Sequence, residues 1–287
     1  MDWLLLTILA ILFRAIYGIA TKVLSSNIDA SPKTQSFLLM LVATPITSVV
    51  SPFIGGISFE GISSVWLISI IMFSSLAFAN VLYYKGMETL DAGTSQIAFS
   101  SILIWGTILS IIFLNSKLSP QQLFGIFILL LAIILAQYSN KSVRINKGVL
   151  YIIVSTALFA AFQVTSAEMA KTMSAGGYLL IAYLGSTLIL GITYISKINE
   201  EIKIIKKNVH VALKVLLFAS STSIIYFIFS YFAYRFAPDP GIVVILLTSQ
   251  ALFAVILGTI FLKERDGIGR KLFAGALAVL AGILIKG

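Results

Sequence analysis

The sequence contains no cysteine and only one histidine, His210. The first absence excludes disulfides and thiolate chemistry. The 11 acidic residues are scattered, mostly between apolar runs, and His210 is not near an acidic cluster at membrane depth. Metal-dependent or acid–base catalysis on lipids needs such clusters, so a membrane-embedded enzyme is disfavoured. The phosphate-binding motif GxxxxGK[ST] is also absent, so this chain is not expected to hydrolyse ATP or to use a cofactor.

Charge is also scarce, because charged residues make up 11% of the 287 residues, whereas a soluble domain has about a quarter. Hydrophobic residues make up 59%, and the mean hydropathy is +1.03. Ten apolar runs approach or exceed the roughly 20 residues that span a bilayer. They cover 3–24, 34–54, 62–87, 92–114, 120–139, 147–170, 176–196, 211–236, 241–262 and 268–285. Barrel strands are about ten residues long and alternate in polarity, so these runs predict an all-α integral membrane protein with ten transmembrane helices.

The basic residues predict an orientation rather than a nucleic-acid partner. The net charge is +9, but the Lys and Arg residues are spread over short segments between the runs. With ten spans, most of them fall in the loops after the odd-numbered helices. The opposite side, which includes both termini, has only Lys117, Lys171, Arg235 and Lys286. The positive-inside rule then predicts a multi-pass protein of the inner (cytoplasmic) membrane with both termini outside.

The two halves of the chain resemble each other. Three pairs of segments match in the same order at nearly constant offsets: 83–97 with 231–245, 123–136 with 272–285, and 12–18 with 158–164. Because five is an odd number of helices, the second copy of such a repeat enters the membrane from the opposite side, as in many secondary transporters. We therefore predict two inverted five-helix repeats, over 1–140 and 141–287, around a central cavity. Such a pair is complete in itself, so a monomer is plausible.

Short motifs after the ninth run point to a family. Lys263, Glu264 and Arg265 stand between two apolar runs, and Gly275 lies in the last run. The chain resembles the drug/metabolite transporter (DMT) superfamily, in particular its ten-helix EamA-type members, in which each half carries a G-E-R-L turn before a glycine-containing helix. In the first half, Ser116 stands where the family usually has the glutamate, and the proline often found in the fourth and ninth helices is missing. The resemblance implies a metabolite transporter, more often an exporter, and leaves the substrate open.

Arg14 is the one charged residue in the middle of an apolar run. It lies about ten residues, or roughly 15 Å, from each end of its helix, too far for its side chain to reach either surface. Its own helix face carries Thr7, Ala10, Tyr17, Gly18 and Thr21. The opposite face carries Leu5, Ile8, Leu12, Ile16 and Ile19. We predict that Arg14 faces the bundle interior, where it binds an anionic group of the substrate or, alternatively, forms a structural ion pair or holds backbone carbonyls.

Six further residues are candidates for the substrate site. They are polar, charged or aromatic and lie within the apolar runs: Tyr17, Gln163, Trp105, Tyr226, Gln250 and Glu168. For the uncharged residues the alternative is an interhelical hydrogen bond. Glu168 either carries a coupling proton or contacts a substrate amine, or else it pairs with Lys171 at the membrane interface.

The leading hypothesis for function is a secondary active transporter that exports or exchanges a small polar metabolite by alternating access. An amino acid or a related carboxylate is the preferred substrate, because both Arg14 and the family resemblance allow it. The alternatives are a flippase or scaffold for an anionic lipid, which predicts a lateral opening to the bilayer, and a drug efflux protein. The expected partners are the substrate and the lipid bilayer, and proton coupling is left open.

Overall fold

The computed structural model describes residues 2–59, 62–114, 119–139, 142–143, 146–205, 209–237, 243, 246–247, 250–264 and 266–286. In chain order, the helices are α1 (Trp3–Asn27), α2 (Pro32–Val50), α3 (Ile62–Met87), α4 (Ala92–Phe99), α5 (Ile102–Leu114), α6 (Pro120–Gln137), α7 (Lys147–Thr172), α8 (Ala175–Ile205), α9 (Val209–Phe236), α10 (Gln250–Phe261) and α11 (Ile268–Lys286). A 3-10 turn, Ser51–Ile54, continues α2. A short ribbon pairs Tyr138–Ser139 with Ser142–Val143 in antiparallel fashion.

Most of the described helices are membrane helices by length and composition. Seven of them are long and apolar enough to cross a bilayer: α1, α2 with its 3-10 turn, α3, α7, α8, α9 and α11. Helices α6 and α10 are shorter but also apolar. The prediction of an all-α, multi-pass membrane protein is therefore confirmed. The count of ten crossings stays a prediction, because much of the first part of the run 241–262, before Gln250, lies outside the described residues.

The fourth apolar run, 92–114, forms two helices rather than one. The amides of Ser100 and Ser101 donate to the carbonyls three residues earlier, Ile97 O at 3.2 Å and Ala98 O at 3.1 Å. The Ser100 hydroxyl also donates to Gln96 O. Serine side chains that compete for backbone carbonyls weaken a helix, so the chain turns tightly between α4 and α5.

The helix that contains the apolar run 176–196 is longer than the run, because α8 continues as far as Ile205. Helix α8 bends at Tyr194, where φ and ψ are −125° and 19°. Beyond the bend, Glu201 accepts hydrogen bonds from the amide and hydroxyl of Ser31, the residue before α2, at 2.9 and 2.8 Å. This extension therefore ties the start of α2 to the end of α8.

The most extensive helix pairings are α3 with α7, α1 with α9, α6 with α11 and α2 with α8. These pairings have the symmetry of the predicted repeat, in which α1, α2, α3 and α6 correspond to α7, α8, α9 and α11. Exchanging each helix for its counterpart turns the α1–α9 pairing into α7–α3 and leaves the other two unchanged. The repeat boundaries themselves stay a prediction.

Helix α1 presents its small and polar stripe to the protein interior, as predicted. Thr7, Ala10, Arg14, Tyr17, Gly18 and Thr21 are all buried. On the opposite face Leu5 is 55% exposed and Ile8 is 46% exposed, whereas Ile19 is buried, contrary to its place on that face. Because α1 packs mainly on α9 and also touches α10 and α4, Arg14 lies where these helices meet.

Candidate substrate-binding site

Arg14 is enclosed by three aromatic rings. Its side chain is buried, with 3% of the residue exposed. Its Cζ atom lies 4.2 Å from the ring centroid of Phe99, 5.2 Å from that of Tyr226 and 5.3 Å from that of Tyr17. A guanidinium within about 6 Å of an aromatic face gains a cation–π attraction, which is larger when the pair is desolvated. The rings thus hold the cation without neutralising its charge.

Among the residues that the structure describes, the guanidinium makes one hydrogen bond, from Nε to Oε1 of Gln250 on α10, at 3.1 Å. Among the described residues, no carboxylate lies within ion-pair distance of Arg14, and its two terminal amino groups donate to no acceptor. A charge at this depth is costly unless it is paired. These amino groups are therefore available to an anionic group, which a guanidinium binds through two parallel hydrogen bonds.

A polar network lies one helical turn from Arg14 along α1. The hydroxyl of Tyr17 donates to Oδ1 of Asn80 at 3.2 Å, and the amide of Gln96 donates to the hydroxyl of Tyr83. Gly18 makes room for this amide, because a Cβ there would lie 2.6 Å from Nε2 of Gln96. The other polar atom of this side chain, Oε1 of Gln96, is buried and has no hydrogen-bond partner in the described part of the chain. The polar network near the cation thus includes one buried acceptor with unused hydrogen-bonding capacity.

Four of the predicted site residues come together: Arg14, Tyr17, Tyr226 and Gln250. The other three do not join this group among the described contacts. Trp105 donates from Nε1 to Ile153 O at 2.9 Å and links α5 to α7. Gln163 is exposed on α7, and the side chain of Glu168 lies outside the part of the chain that the structure describes.

Phe99 has the ring closest to Arg14, and sequence reasoning missed it. It stands at the end of α4 in an apolar stretch, where an aromatic residue gives no signal of a site. Its position depends on the turn at Ser100 and Ser101, which ends α4 directly after it.

Four charged residues form a second feature, the charged layer: Lys22, Asp91, Glu264 and Lys271. Asp91 caps α4 by accepting from the amide of Thr94 at 2.8 Å, and its other oxygen lies 3.1 Å from Nζ of Lys271, a side chain that is 6% exposed. Lys22 donates to Met87 O at the end of α3, at 2.7 Å. Through these contacts the layer joins the ends of four helices: α1, α3, α4 and α11. Ion pairs are stronger where water is excluded.

Glu264 completes the charged layer from the turn between α10 and α11. Its two carboxylate oxygens accept from the amide of Ala92 at 3.1 and 3.0 Å. The left-handed backbone of Lys263, with φ of 58°, and a bond from the Glu264 amide to Gly258 O aim the side chain at α4. Gly258 must lack a Cβ, which would lie 2.7 Å from Glu264 Oε2. Burial raises the pKa of Glu264 above its ordinary value, although the Ala92 amide and the nearby lysines oppose the shift.

An apolar groove of about 380 Å³ lies elsewhere, between α3 and α8. Its lining includes Ile70, Leu188 and Ile192, whose side chains are exposed. Such a surface suits the acyl chains of a bilayer and offers no polar group to a metabolite.

Comparisons with known proteins agree with this architecture. The profile of the EamA-like transporter family matches residues 1–138, which include Arg14, Tyr17 and Phe99. A solved crystal structure of a protein is similar over 98% of this chain and 94% of its own, with a TM-score of 0.65 and 14% sequence identity, a likeness that concerns the fold alone. No curated protein matches the sequence. The first 138 residues, just under half of the chain, are therefore assigned to the EamA-like transporter family of the drug/metabolite transporter superfamily.

Proposed function

We propose that this protein is a secondary active transporter that exports or exchanges a small polar metabolite with an anionic group, an amino acid or a related carboxylate. The observation that carries the proposal is the buried guanidinium of Arg14, which has no described carboxylate partner and whose terminal amino groups donate to no described acceptor. A carboxylate that enters the site would neutralise this charge and accept two hydrogen bonds from a single residue.

The competing interpretation is that the aromatic rings and Gln250 use Arg14 only to hold helices together. Against this interpretation stands the free-energy cost of keeping a charge in a bilayer. Because of this cost, charged residues inside a membrane usually have a function. A purely structural contact between α1, α4 and α10 would be served as well by an apolar side chain of similar size. The two interpretations predict different uptake by Arg14→Lys, which keeps the positive charge but loses the planar guanidinium with its two parallel donors.

Alternating access between the two repeats would carry the substrate past Arg14. The distribution of Lys and Arg supports a location in the inner membrane with both termini outside. The chain contains no ATP-binding motif of the GxxxxGK[ST] type, so the proposed driving force is an ion or substrate gradient.

Counterflow in liposomes tests the proposal. Labelled amino acids, organic acids, nucleotides and sugar phosphates are the probes, with a short-chain phosphatidic acid and a lipophilic cation as arms for lipid and drug transport. We expect Arg14→Ala to abolish uptake of one anionic class and Arg14→Lys to lower it about tenfold, as the loss of one charge-assisted hydrogen bond implies. Arg235→Lys, an exposed arginine at the end of α9, is the matched control. Normal uptake by folded Arg14→Ala and Arg14→Lys would exclude the anion site.

Proton coupling through Glu168 is proposed separately. If Glu168 carries the coupling proton, Glu168→Gln should transport by counterflow but lose the response to an imposed pH gradient. A response that survives the substitution excludes Glu168 as the carrier.

A further inference from the structure

Three helices extend from the Arg14 site to the charged layer or to a residue in contact with it. On α1, Lys22 follows Arg14 by eight residues, and on α10, Gly258 follows Gln250 by eight residues. At α4, the capping residue Asp91 precedes Phe99 by eight residues. Eight residues of helix span about 12 Å. The charged layer therefore lies about two turns from Arg14, on one side of it, at the ends of the same helices.

Both direct contacts across the charged layer join the two halves of the chain. Glu264 of the second half accepts from the amide of Ala92 in the first half, and Lys271 of the second half pairs with Asp91 of the first. A movement that separates α4 from α10 and α11 on this side breaks these two contacts.

We propose that the charged layer is the gate that closes the Arg14 site on this side of the membrane, and that Glu264 is the residue that holds the gate shut. This inference rests on the transport function proposed above. Glu264 positions α4 against the turn after α10, and it does not contact the substrate.

The charged groups around Glu264 give the gate a response to pH. Lys22 of α1, Asp91 at the start of α4 and Lys271 of α11 face it. Burial in the closed state raises the pKa of Glu264, and opening would hydrate the carboxylate and bring its pKa back towards the ordinary value. The closed gate therefore binds a proton more tightly than the open one. By linkage, a rise in pH favours opening on this side, with release of the proton.

The absence of native cysteine makes the gate measurable without substrate. Ser95 lies on α4 one turn before Phe99, between the charged layer and Arg14, and it is fully buried. Ser95→Cys in the otherwise complete chain places one thiol behind the gate. A membrane-impermeant maleimide, applied to each side of sealed vesicles in turn, then reports opening on that side, and labelling after denaturation gives the total.

We expect Glu264→Ala to speed labelling from the charged-layer side about tenfold, because a hydrogen bond to a charged group is lost, and to leave the other side unchanged. Glu88→Ala is the matched control, because Glu88 forms an exposed pair with Lys85 at the end of α3, at 2.6 Å. Labelling of Glu264→Ala at the rate of the parent protein, or an equal increase from both sides, overturns the proposal.

Glu264→Gln provides a second test that does not need a destabilised variant. The amide keeps an oxygen that accepts from Ala92 and mimics the protonated carboxyl. We expect the labelling rate of the parent, divided by that of Glu264→Gln, to rise with pH, a ratio in which the ionisation of the thiol cancels. A ratio that stays flat as pH rises above the ordinary glutamate pKa overturns the pH response.

The labelling test of the gate and the counterflow test of the anion site have independent outcomes. Arg14→Ala on the Ser95→Cys background should leave the response to Glu264→Ala intact. If transport is independent of Arg14 while the labelling rate changes in Glu264→Ala, the gate is supported and the anion site is excluded. If transport depends on Arg14 while the labelling rate does not change in Glu264→Ala, only the gate is excluded.

Discussion

The two flanks of Arg14 are built from different chemistry. On one side, the charged layer joins the two halves through an ion pair and hydrogen bonds to a carboxylate. On the other side, α1 packs against α9 and against Val243 and Leu247, and the buried side chains are almost all apolar. This apolar cluster consists of Leu6, Ala10, Ile11, Tyr226, Ala233, Val243 and Leu247.

The difference means that the two flanks respond to different variables. An apolar side chain gains little by leaving lipid for protein, so the apolar cluster depends on close packing and dispersion. The charged layer depends on electrostatic contacts, which change with protonation. An alternating-access transporter must open its two ends separately. Two ends that are closed by different interactions, apolar packing on one side and pH-dependent contacts on the other, can open separately.

The largest effect should come from breaking the charged layer at Asp91. Asp91→Leu leaves the buried Lys271 without its partner, which costs about 3 kcal/mol, and removes the cap of α4, which costs about 1 kcal/mol more. Thermal unfolding in detergent measures the loss. Asp91→Asn keeps a capping oxygen and should lose less. An Asp91→Leu protein as stable as the parent would show that the charged layer does not hold the two halves together.

A smaller effect should follow from overfilling the apolar cluster at Ala10, which has no exposed surface. Ala10→Leu adds three carbon atoms to a packed contact between α1 and α9 and should cost about 2 kcal/mol of unfolding free energy. Because the substitution adds no titratable group, the loss should be the same at acid and neutral pH. Ile8→Leu, on the exposed face of α1, is the control and should change nothing measurable. A loss of unfolding free energy that varies with pH would show that the apolar flank does not differ from the charged layer in its response to pH.

The smallest effect concerns pH and Glu264. Its pKa is raised in the folded protein, so the folded state binds the proton more tightly than the unfolded state. The parent should therefore lose stability relative to Glu264→Gln as pH rises from the ordinary value of 4.5 through the raised one. The difference in melting temperature between the parent and Glu264→Gln across this range measures the effect, and Glu88→Gln, at an exposed glutamate, is the control. A difference in melting temperature that is constant with pH, or that increasingly favours the parent as pH rises, would contradict a raised pKa of Glu264 in the folded protein.

Local periodicity was enough to orient α1. The spacing of Thr7, Ala10 and Tyr17 around Arg14 follows from 3.6 residues per turn, and these residues are buried while Leu5 and Ile8 are exposed. The presence of one mid-helix charge was enough to identify the centre of the candidate site. Both inferences need information from only one helix.

The partners of Arg14 were beyond the same reasoning, because they depend on how distant helices pack. Gln250 was a candidate, but its bond to Arg14 joins residues 236 positions apart. Glu264 was recognised as part of a family motif, and its contact with Ala92 spans 172 positions. Trp105 and Gln163 resembled site residues by depth, yet one links α5 to α7 and the other is exposed. Polarity within an apolar run indicates a buried partner or a site and does not say which.

Equilibrium binding tests the central claim most directly, because it separates recognition at Arg14 from opening of the gate. The labelled anion with the highest counterflow rate is titrated onto detergent-purified parent, Arg14→Ala and Glu264→Ala proteins. We predict that Arg14→Ala weakens binding by at least about tenfold, as loss of a charge-assisted hydrogen bond implies, while Glu264→Ala binds within a few-fold of the parent. Unchanged affinity in Arg14→Ala, or equal losses in both variants, would contradict the account.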